Sequence, residues 1–347
     1  MFFAVFSYRC TFLSRKSDLH HNMTERQSAP TLSQLRHALL AWYDAHRRDL
    51  PWRENTAPYR VWVSEIMLQQ TRVAAVLEHY ARFLKRFPTV EVLAGAREQS
   101  VLAVWSGLGY YHRARRMHQA AKVIVRERSG QFPSSSEDWL ELPGIGRYTA
   151  AAIASIAFGE PVAVVDGNVE RVLARVHGDA LPNGSAWDRA QALLDPKRPG
   201  DFNQAMMELG ATVCTPKSPQ CLLCPVSTLC ATRGEHPSPK QSPRKRKQLC
   251  YALVEKQDAV LLVRRAPDAR LMAGMWEMPQ LDRAPADTSP VARIRHSITD
   301  TDYEVLVFRL AELQIADSRW FAVKQWKTAA LTGLARKILA KLRTTQA

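Results

Sequence analysis

Four cysteines lie close together in the segment CTPKSPQCLLCPVSTLC, residues 214 to 230, and only Cys10 and Cys250 lie elsewhere. Four thiols at this density can form disulfides, bind zinc or bind an iron–sulfur cluster. Nothing in the sequence demands export, so we expect reduced thiols, which favours metal binding over disulfides. The spacing C-x6-C-x2-C-x5-C has one C-x2-C pair where zinc ribbons usually have two, yet zinc also accepts four thiolates and stays an alternative. The predicted ligands are Cys214, Cys221, Cys224 and Cys230.

Two carboxylates lie in surroundings that should push their pKa values apart. In the helical pattern PYRVWVSEIMLQQTRV, Glu65 has Val61, Trp62 and Leu68 three or four residues away, and such apolar neighbours raise the pKa of a carboxyl. Asp166 follows the apolar run PVAVV and begins the next helix, where amides and the helix dipole stabilise its anion. Such a pair suits one acid and one charge stabiliser. The alternatives are a solvated ion pair for Glu65 and a simple N-cap for Asp166.

A tight turn with two glycines offers a binding site for phosphate. The segment Leu142-Pro143-Gly144-Ile145-Gly146 joins two helices, and its glycines leave backbone N–H groups unobstructed. Amides at the start of the helix that begins at about Arg147 can bind a phosphate without reading any base. An ordinary connection between helices is the alternative. The candidate DNA-binding residues here are Leu142, Gly144, Gly146 and Arg147.

The elements that must position these residues divide the chain into two folded parts. Apolar residues recur at three- and four-residue spacing over 31–230, which predicts a helical domain with a helix-hairpin-helix at about 136–158. Residues 231–249 are rich in Pro, Ser and basic side chains, which is typical of a linker. Residues 250–345 contain short strand patterns and a closing helix, so we expect a C-terminal α+β domain.

Length and charge restrict the class of protein. With 347 residues the chain is long enough for two or three domains. A net charge of +15 indicates a polyanionic partner, either nucleic acid or an anionic membrane surface. No apolar run approaches the roughly 20 residues of a spanning helix. We expect residues 1–30 to be a disordered extension; a transit-type peptide or a true start at Met23 are the alternatives.

The order of these motifs resembles a known superfamily. The hairpin, an aspartate at a helix start and four cysteines occur in this order in DNA repair glycosylases similar to endonuclease III. The resemblance implies a mainly α helix-hairpin-helix glycosylase fold whose cysteines, at 214–230, ligate a [4Fe-4S] cluster.

Two further motifs, SEIMLQQT and VDGNV, look like those of adenine DNA glycosylases of the MutY type. The resemblance implies that Glu65 and Asp166 are catalytic and that Asn168 helps to position the chemistry. It also places Gln70 and Tyr110, in GLGYYHRARRM, at wedge positions that fill the gap left by a flipped base, with Gln69 beside them. A surface role for Gln70 and a core role for Tyr110 are the alternatives.

Position 148 indicates the subclass of enzyme. Glycosylases of this superfamily that also cleave the DNA backbone use a hairpin lysine as a Schiff-base nucleophile, and GIGRYTA has Tyr148 there. Without that amine, we expect hydrolysis by water and no efficient strand cleavage.

The C-terminal segment EKQDAVLLVRRAPDARLMAGMWEMPQLD resembles the nudix-like domain with which these enzymes recognise 8-oxoguanine. The glutamate-rich helix of a nudix hydrolase is missing, so we expect binding without hydrolysis. Where the family usually carries Phe-Ser-His, this chain has Ile298-Thr299-Asp300 after His296. Thr299 keeps a hydroxyl for the lesion, and we expect a weaker preference for 8-oxoguanine over guanine.

Residues and resemblance together predict a monofunctional base-excision glycosylase that removes adenine opposite 8-oxoguanine or guanine in double-stranded DNA. Two alternatives stay open: a thymine-mismatch or oxidised-pyrimidine glycosylase on the same scaffold, and a catalytically silent, cluster-containing DNA-binding protein. We expect a monomer without a membrane partner, located in the cytoplasm with the nucleoid. Targeting by the N-terminal extension is the alternative location.

Overall fold

The computed structural model describes residues 32–178, 184–233, 243–269, 272–286, 288–298, 300–326 and 328–346. The predicted N-terminal extension and Thr299 lie outside these residues. Within them, the helical domain consists of α1 (Leu32–His46), α2 (Pro58–Leu68), α3 (Val73–Arg86), α4 (Val90–Ala94), α5 (Glu98–Trp105), α6 (Tyr111–Arg128), α7 (Ser136–Leu140), α8 (Arg147–Phe158), α9 (Gly167–His177), α10 (Ser185–Leu193) and α11 (Pro199–Thr212). The hairpin is the pair α7–α8, which begins and ends where the sequence predicts it.

The helical domain has two hydrophobic cores. Helices α2 to α8 enclose the first, in which the fully buried rings of Trp62 and Trp139 have centroids 5.9 Å apart. Helix α1 joins α9, α10 and α11 around the second, which contains Leu39, Leu173 and Phe202. Chain segments from both ends of the domain therefore build the second core.

Helix α2 is buried on all sides instead of along one stripe. Residues 61–67 are all buried, and α3, α6 and α8 pack around them. An apolar surface all round a helix is typical of a helix inside a domain. This packing carries Glu65 into the interior with 6% of its surface exposed.

The C-terminal domain contains two four-stranded sheets and a helix. Its strands are β1 (Lys245–Leu253), β2 (Glu255–Lys256), β3 (Ala259–Arg264), β4 (Trp276–Glu277), β5 (Gln280–Leu281), β6 (Ala292–Ile298), β7 (Thr301–Arg309) and β8 (Ser318–Ala322), followed by α12 (Gly333–Gln346). One sheet has the order β5-β1-β7-β6, with β1 and β7 parallel; in the other, β3 pairs with β2, β4 and β8. The side chains of both sheets and α12 share one core. The predicted mainly α fold with an α+β C-terminal domain is confirmed.

The predicted linker 231–249 is too long, because β1 already begins at Lys245. The backbone of Lys245 pairs with Thr301, and the next residues follow in the same register. The side chains of residues 245–247 stay exposed, so their composition resembles a linker. Pairing with a strand more than fifty residues away is not visible in local composition.

The two domains are packed against each other. Ser106 Oγ at the end of α5 donates a hydrogen bond of 2.6 Å to the carbonyl oxygen of Leu331. Gln99 Nε2 donates to Gly274 O at 3.3 Å, and Met275 is part of the first helical core. No helix in the described ranges is both long and apolar enough to cross a bilayer.

Candidate active site

Glu65 and Tyr148 form a buried acid–hydroxyl pair. The Tyr148 hydroxyl, in the first turn of α8, donates to Glu65 Oε2 at 2.9 Å and also lies 3.2 Å from Met207 Sδ. Burial, opposed by the Tyr148 hydrogen bond and reinforced by the negative charge of Asp166, raises the pKa of Glu65 to about 7. The predicted direction of this shift is confirmed. A carboxyl with this pKa is partly protonated at neutral pH and can donate a proton.

Asp166 is the N-cap of α9 and its carboxylate is held at both oxygens. Oδ1 accepts the backbone N–H groups of Asn168 and Val169 at 2.9 and 2.8 Å, and Oδ2 accepts from Asn168 Nδ2 at 2.9 Å. Arg171 donates to Asn168 Oδ1 at 2.8 Å, which fixes the orientation of that amide. Asp166 is therefore a cap, as the alternative interpretation held, and its half-buried carboxylate also faces the site.

One groove joins seven of the predicted catalytic and DNA-binding residues. Its lining includes Tyr148 and Asp166, with Glu65 bonded behind Tyr148. Gln70 and Tyr110 stand at its edge, both exposed and both with left-handed backbone, at φ values of 53° and 46°. The alternative of a core role for Tyr110 is wrong, because 38% of its surface is exposed. The remaining lining residues are Leu68, Gln69, His112, Arg113, Gly146, Arg147, Thr149 and Gly167.

Within this groove, Gln69 also has an internal partner. Its Nε2 donates to Thr149 Oγ1 at 2.9 Å, so the side chain links the end of α2 to α8. This bond holds Gln69 at the groove beside the exposed Gln70.

The hairpin turn exposes its backbone. Gly144 has φ +80°, and a Cβ there would meet Arg116 Cβ at 2.4 Å, so glycine is required on both grounds. Leu142 is buried, which leaves its side chain to the core. The Arg147 guanidinium lies 3.9 Å from the ring centroid of Trp187 on α10, and this stacking holds it at the groove.

The four cysteines of the 214–230 loop surround a common cavity. All four are free thiols and line a small cavity between the loop, α9 and α11. Arg175 on α9 donates to Cys214 Sγ at 3.2 Å and to Thr215 O at 2.8 Å. In the described residues, no three His, Cys, Asp or Glu side chains are spaced to hold one metal ion. Four thiols that face one cavity are a donor set that suits either an iron–sulfur cluster or zinc.

Comparisons with known proteins show to which family the chain belongs. Residues 63–184 match the HhH-GPD superfamily of base excision DNA repair proteins. Adenine DNA glycosylase of Rattus norvegicus is 36% identical, over 87% of this chain and 77% of that protein. The chain belongs to the adenine DNA glycosylase family. This family membership confirms the family predicted from the motifs. It also confirms the expected class of enzyme, a DNA glycosylase.

This chain covers different shares of the length of its other relatives. The Mus musculus adenine DNA glycosylase is 42% identical, over 72% of this chain and 61% of the mouse protein. The Homo sapiens adenine DNA glycosylase is 51% identical, over 57% of this chain and 39% of the human protein. Among solved structures, a thermostable thymine-DNA glycosylase has a TM-score of 0.56 at 29% identity, covering 59% of this chain and 97% of its own. An endonuclease III–DNA covalent intermediate has a TM-score of 0.52 at 22% identity with the same coverage, and shares the fold.

Sequence reasoning missed two sets of contacts in this adenine DNA glycosylase family member. The sequence shows position 148 only as a missing lysine, whereas the Tyr148 hydroxyl also bonds the predicted acid. Glu208, 1% exposed, lies between Arg48 and Arg53, and the charge of Arg53 lowers the pKa of Glu65. No local pattern signals these contacts, since the partners are far apart in the chain.

The loop between β6 and β7 of the C-terminal domain is described on both sides of Thr299. Asp300 lies 3.4 Å from Lys245 Nζ, and hydrogen bonds from Thr301 and Lys245 lower its pKa. His296 on β6 is half-buried and, with Arg246 and Lys247, lines a groove of about 1120 Å³. The charge of Lys245 therefore offsets that of Asp300.

Proposed function

We propose that this protein is a monofunctional adenine DNA glycosylase that hydrolyses the N-glycosidic bond of adenine opposite 8-oxoguanine or guanine. The observation that carries the proposal is the buried Glu65, with a pKa of about 7, bonded to Tyr148 and close to the carboxylate of Asp166. Membership of the adenine DNA glycosylase family supports the choice of base. Endonuclease III structures in complex with DNA share this fold, which supports DNA as the substrate.

Glu65 is proposed as the general acid. Adenine leaves readily only when its N7 is protonated, and a flipped adenine in the groove would bring N7 to the acid. Tyr148 occupies Oε2 of the carboxyl, so Oε1 is the oxygen free to carry the proton to the base. The pKa of about 7 gives a large protonated fraction at neutral pH.

Asp166 is proposed to stabilise the positive charge that develops on the sugar. Glycosidic cleavage passes through an oxocarbenium-like state, which a nearby carboxylate favours. The two amides and the Asn168 side chain hold the carboxylate in one orientation. Water then completes the hydrolysis.

The cysteine loop is proposed to hold a [4Fe-4S] cluster with a structural role. Cys214, Cys221, Cys224 and Cys230 would ligate it, and Lys217 gives the loop positive charge toward the DNA backbone. Arg171 and Arg175 bond the backbone of this loop to α9, the helix that Asp166 caps.

The test is single-turnover cleavage of duplexes with adenine or thymine opposite guanine or 8-oxoguanine. We expect excision of adenine from both mispairs and none of thymine. Borohydride should trap no covalent complex, because Tyr148 has no amine. Tight binding without excision would instead identify a silent DNA-binding protein.

A thymine-mismatch glycosylase is the second candidate, because a thymine-DNA glycosylase is among the structural neighbours at 29% identity. That neighbour covers 59% of this chain. The same assay separates the candidates: faster excision of thymine than of adenine opposite guanine would favour the second.

A further inference from the structure

Arg113, in the first turn of α6, is a buried arginine that bonds carbonyl oxygens of two separate segments. It is 5% exposed. At the end of α2, Nη1 shares its two N–H groups among the carbonyl oxygens of Ile66, Met67 and Gln69, at 2.8, 3.0 and 2.5 Å. Before α6, Nη2 donates to the carbonyl oxygens of Leu108 and Gly109, both at 3.3 Å. One guanidinium thus connects two segments that lie about forty residues apart.

The planar fork of arginine suits this position. Its donors can reach several carbonyl oxygens in fixed directions, whereas lysine offers a single flexible ammonium. Burial lowers the pKa of Arg113 to about 10, so it stays charged at neutral pH. Among the described residues, Arg113 has no carboxylate partner in an ion pair. Its neighbour Arg115 differs, because it pairs with Glu98 at 2.9 Å.

Both connected segments end in a strained residue at the groove. Gln70 has φ 53° and Tyr110 has φ 46°, a region that side chains larger than glycine occupy only when their surroundings enforce it. Arg113 bonds the carbonyl immediately before each of them, Gln69 O and Gly109 O. Its guanidinium also lies 5.4 Å from the ring centroid of Tyr110.

We propose that Arg113 is a positioning residue that holds Gln70 and Tyr110 together as the wedge that fills the space of a flipped base. The inference rests on the proposed function for the identity of that base. Arg113 acts through the backbone of the two wedge residues and does not bond Glu65 or Tyr148. It should therefore govern base extrusion and leave proton transfer unchanged.

The main variant is Arg113→Lys, with Arg126→Lys as the control on the same helix, where Arg126 is exposed and pairs with Glu127. The first readout is the fluorescence of 2-aminopurine placed opposite 8-oxoguanine, which rises when the base leaves the stack. With DNA saturated by protein, we expect the rise with the wild type and Arg126→Lys, and little rise with Arg113→Lys.

The second readout separates positioning from general damage. Arg113→Lys should lower the single-turnover rate for adenine opposite 8-oxoguanine about 100-fold, the order that a substitution away from the reacting atoms can cost when it misplaces the bound base. The loss should be much smaller when adenine faces an abasic-site analogue, because less pairing has to be broken. The midpoint of the pH–rate profile, set by Glu65, should not move. Equal losses on both substrates, or a shifted midpoint, would refute the proposal.

A second variant guards against misfolding of Arg113→Lys. Thr71 Oγ1 accepts a hydrogen bond of 3.0 Å from Arg113 Nη2, so Thr71→Val loosens the same fork and keeps the arginine. We expect a smaller loss of the fluorescence rise in the same direction; a normal rise in both folded variants would overturn the inference. If the wild type flips 2-aminopurine but excises no adenine, the proposed function fails while the role of Arg113 is still tested.

Discussion

Replacing Tyr148 by phenylalanine should move the pH dependence of excision upward. The Tyr148 hydroxyl bonds the buried Glu65 at 2.9 Å, and this bond lowers the pKa of the carboxyl against the larger effect of burial. Phenylalanine keeps the ring and removes only the donor. The ionised form of Glu65 then loses more stabilisation than the neutral form, so its pKa must rise.

The size of the shift follows from the strength of such a bond. A hydrogen bond to a charged group contributes about 1.5–3 kcal/mol, and 1.36 kcal/mol corresponds to one pKa unit. Because the neutral acid also accepts the bond, more weakly, we expect an increase of about one unit. From a midpoint of about 7, the wild type should retain about a tenth of its plateau rate at pH 8 and Tyr148→Phe about half.

The assay is the single-turnover rate of adenine excision between pH 5 and pH 9 at saturating enzyme. The plateau at low pH should also fall in Tyr148→Phe, since the carboxyl loses its orientation, so the midpoint is the informative quantity. The charges of Arg53 and Asp166 affect the pKa of Glu65 equally in both proteins, so they do not contribute to the difference between the two midpoints. A midpoint that stays at the wild-type value or moves to lower pH would show that the hydroxyl does not stabilise the ionised acid.

Glu65→Gln should raise the free energy of unfolding by about 3 kcal/mol at pH 8 and much less at pH 5. The pKa of Glu65 is near 7 in the folded protein and 4.5 in the unfolded chain, so Glu65 destabilises the fold as pH rises and a glutamine at this position does not. Thermal melts with the exposed Glu78→Gln as control test this, and equal effects at both pH values would contradict it. Cys224→Ser should lose iron and DNA affinity together; metal analysis of an anaerobic preparation checks this, and zinc in place of iron in the wild type would rule out the cluster. Restoring Phe-Ser-His at 298–300 should enlarge the preference for 8-oxoguanine over guanine by about 1–3 kcal/mol, measured as the ratio of excision rates; an unchanged ratio would show that the loop does not read the lesion.

Several features of the fold and of the site were predictable because they depend on residues close in the sequence. The hairpin needs the Gly144 turn between two helical patterns, and the Asp166 cap bonds amides two and three residues ahead. The cysteine spacing and the absence of lysine at position 148 are likewise visible without coordinates. Turns, caps and helical periodicity are local interactions, so the order of residues already contains them.

The tertiary structure alone decided which of these residues meet and in what electrostatic state. Glu65 and Tyr148 are 83 residues apart, and their contact depends on the packing of α2 against α8. The apolar neighbours of Glu65 predicted a raised pKa, but its extent depends on complete burial and on the opposing charge of Arg53. The pairing of β1 with β7 and the hydrogen bonds of Arg113 also depend on contacts between distant segments. Burial, ion pairing and strand pairing depend on which distant segments come into contact, and that information appears only when the chain is packed.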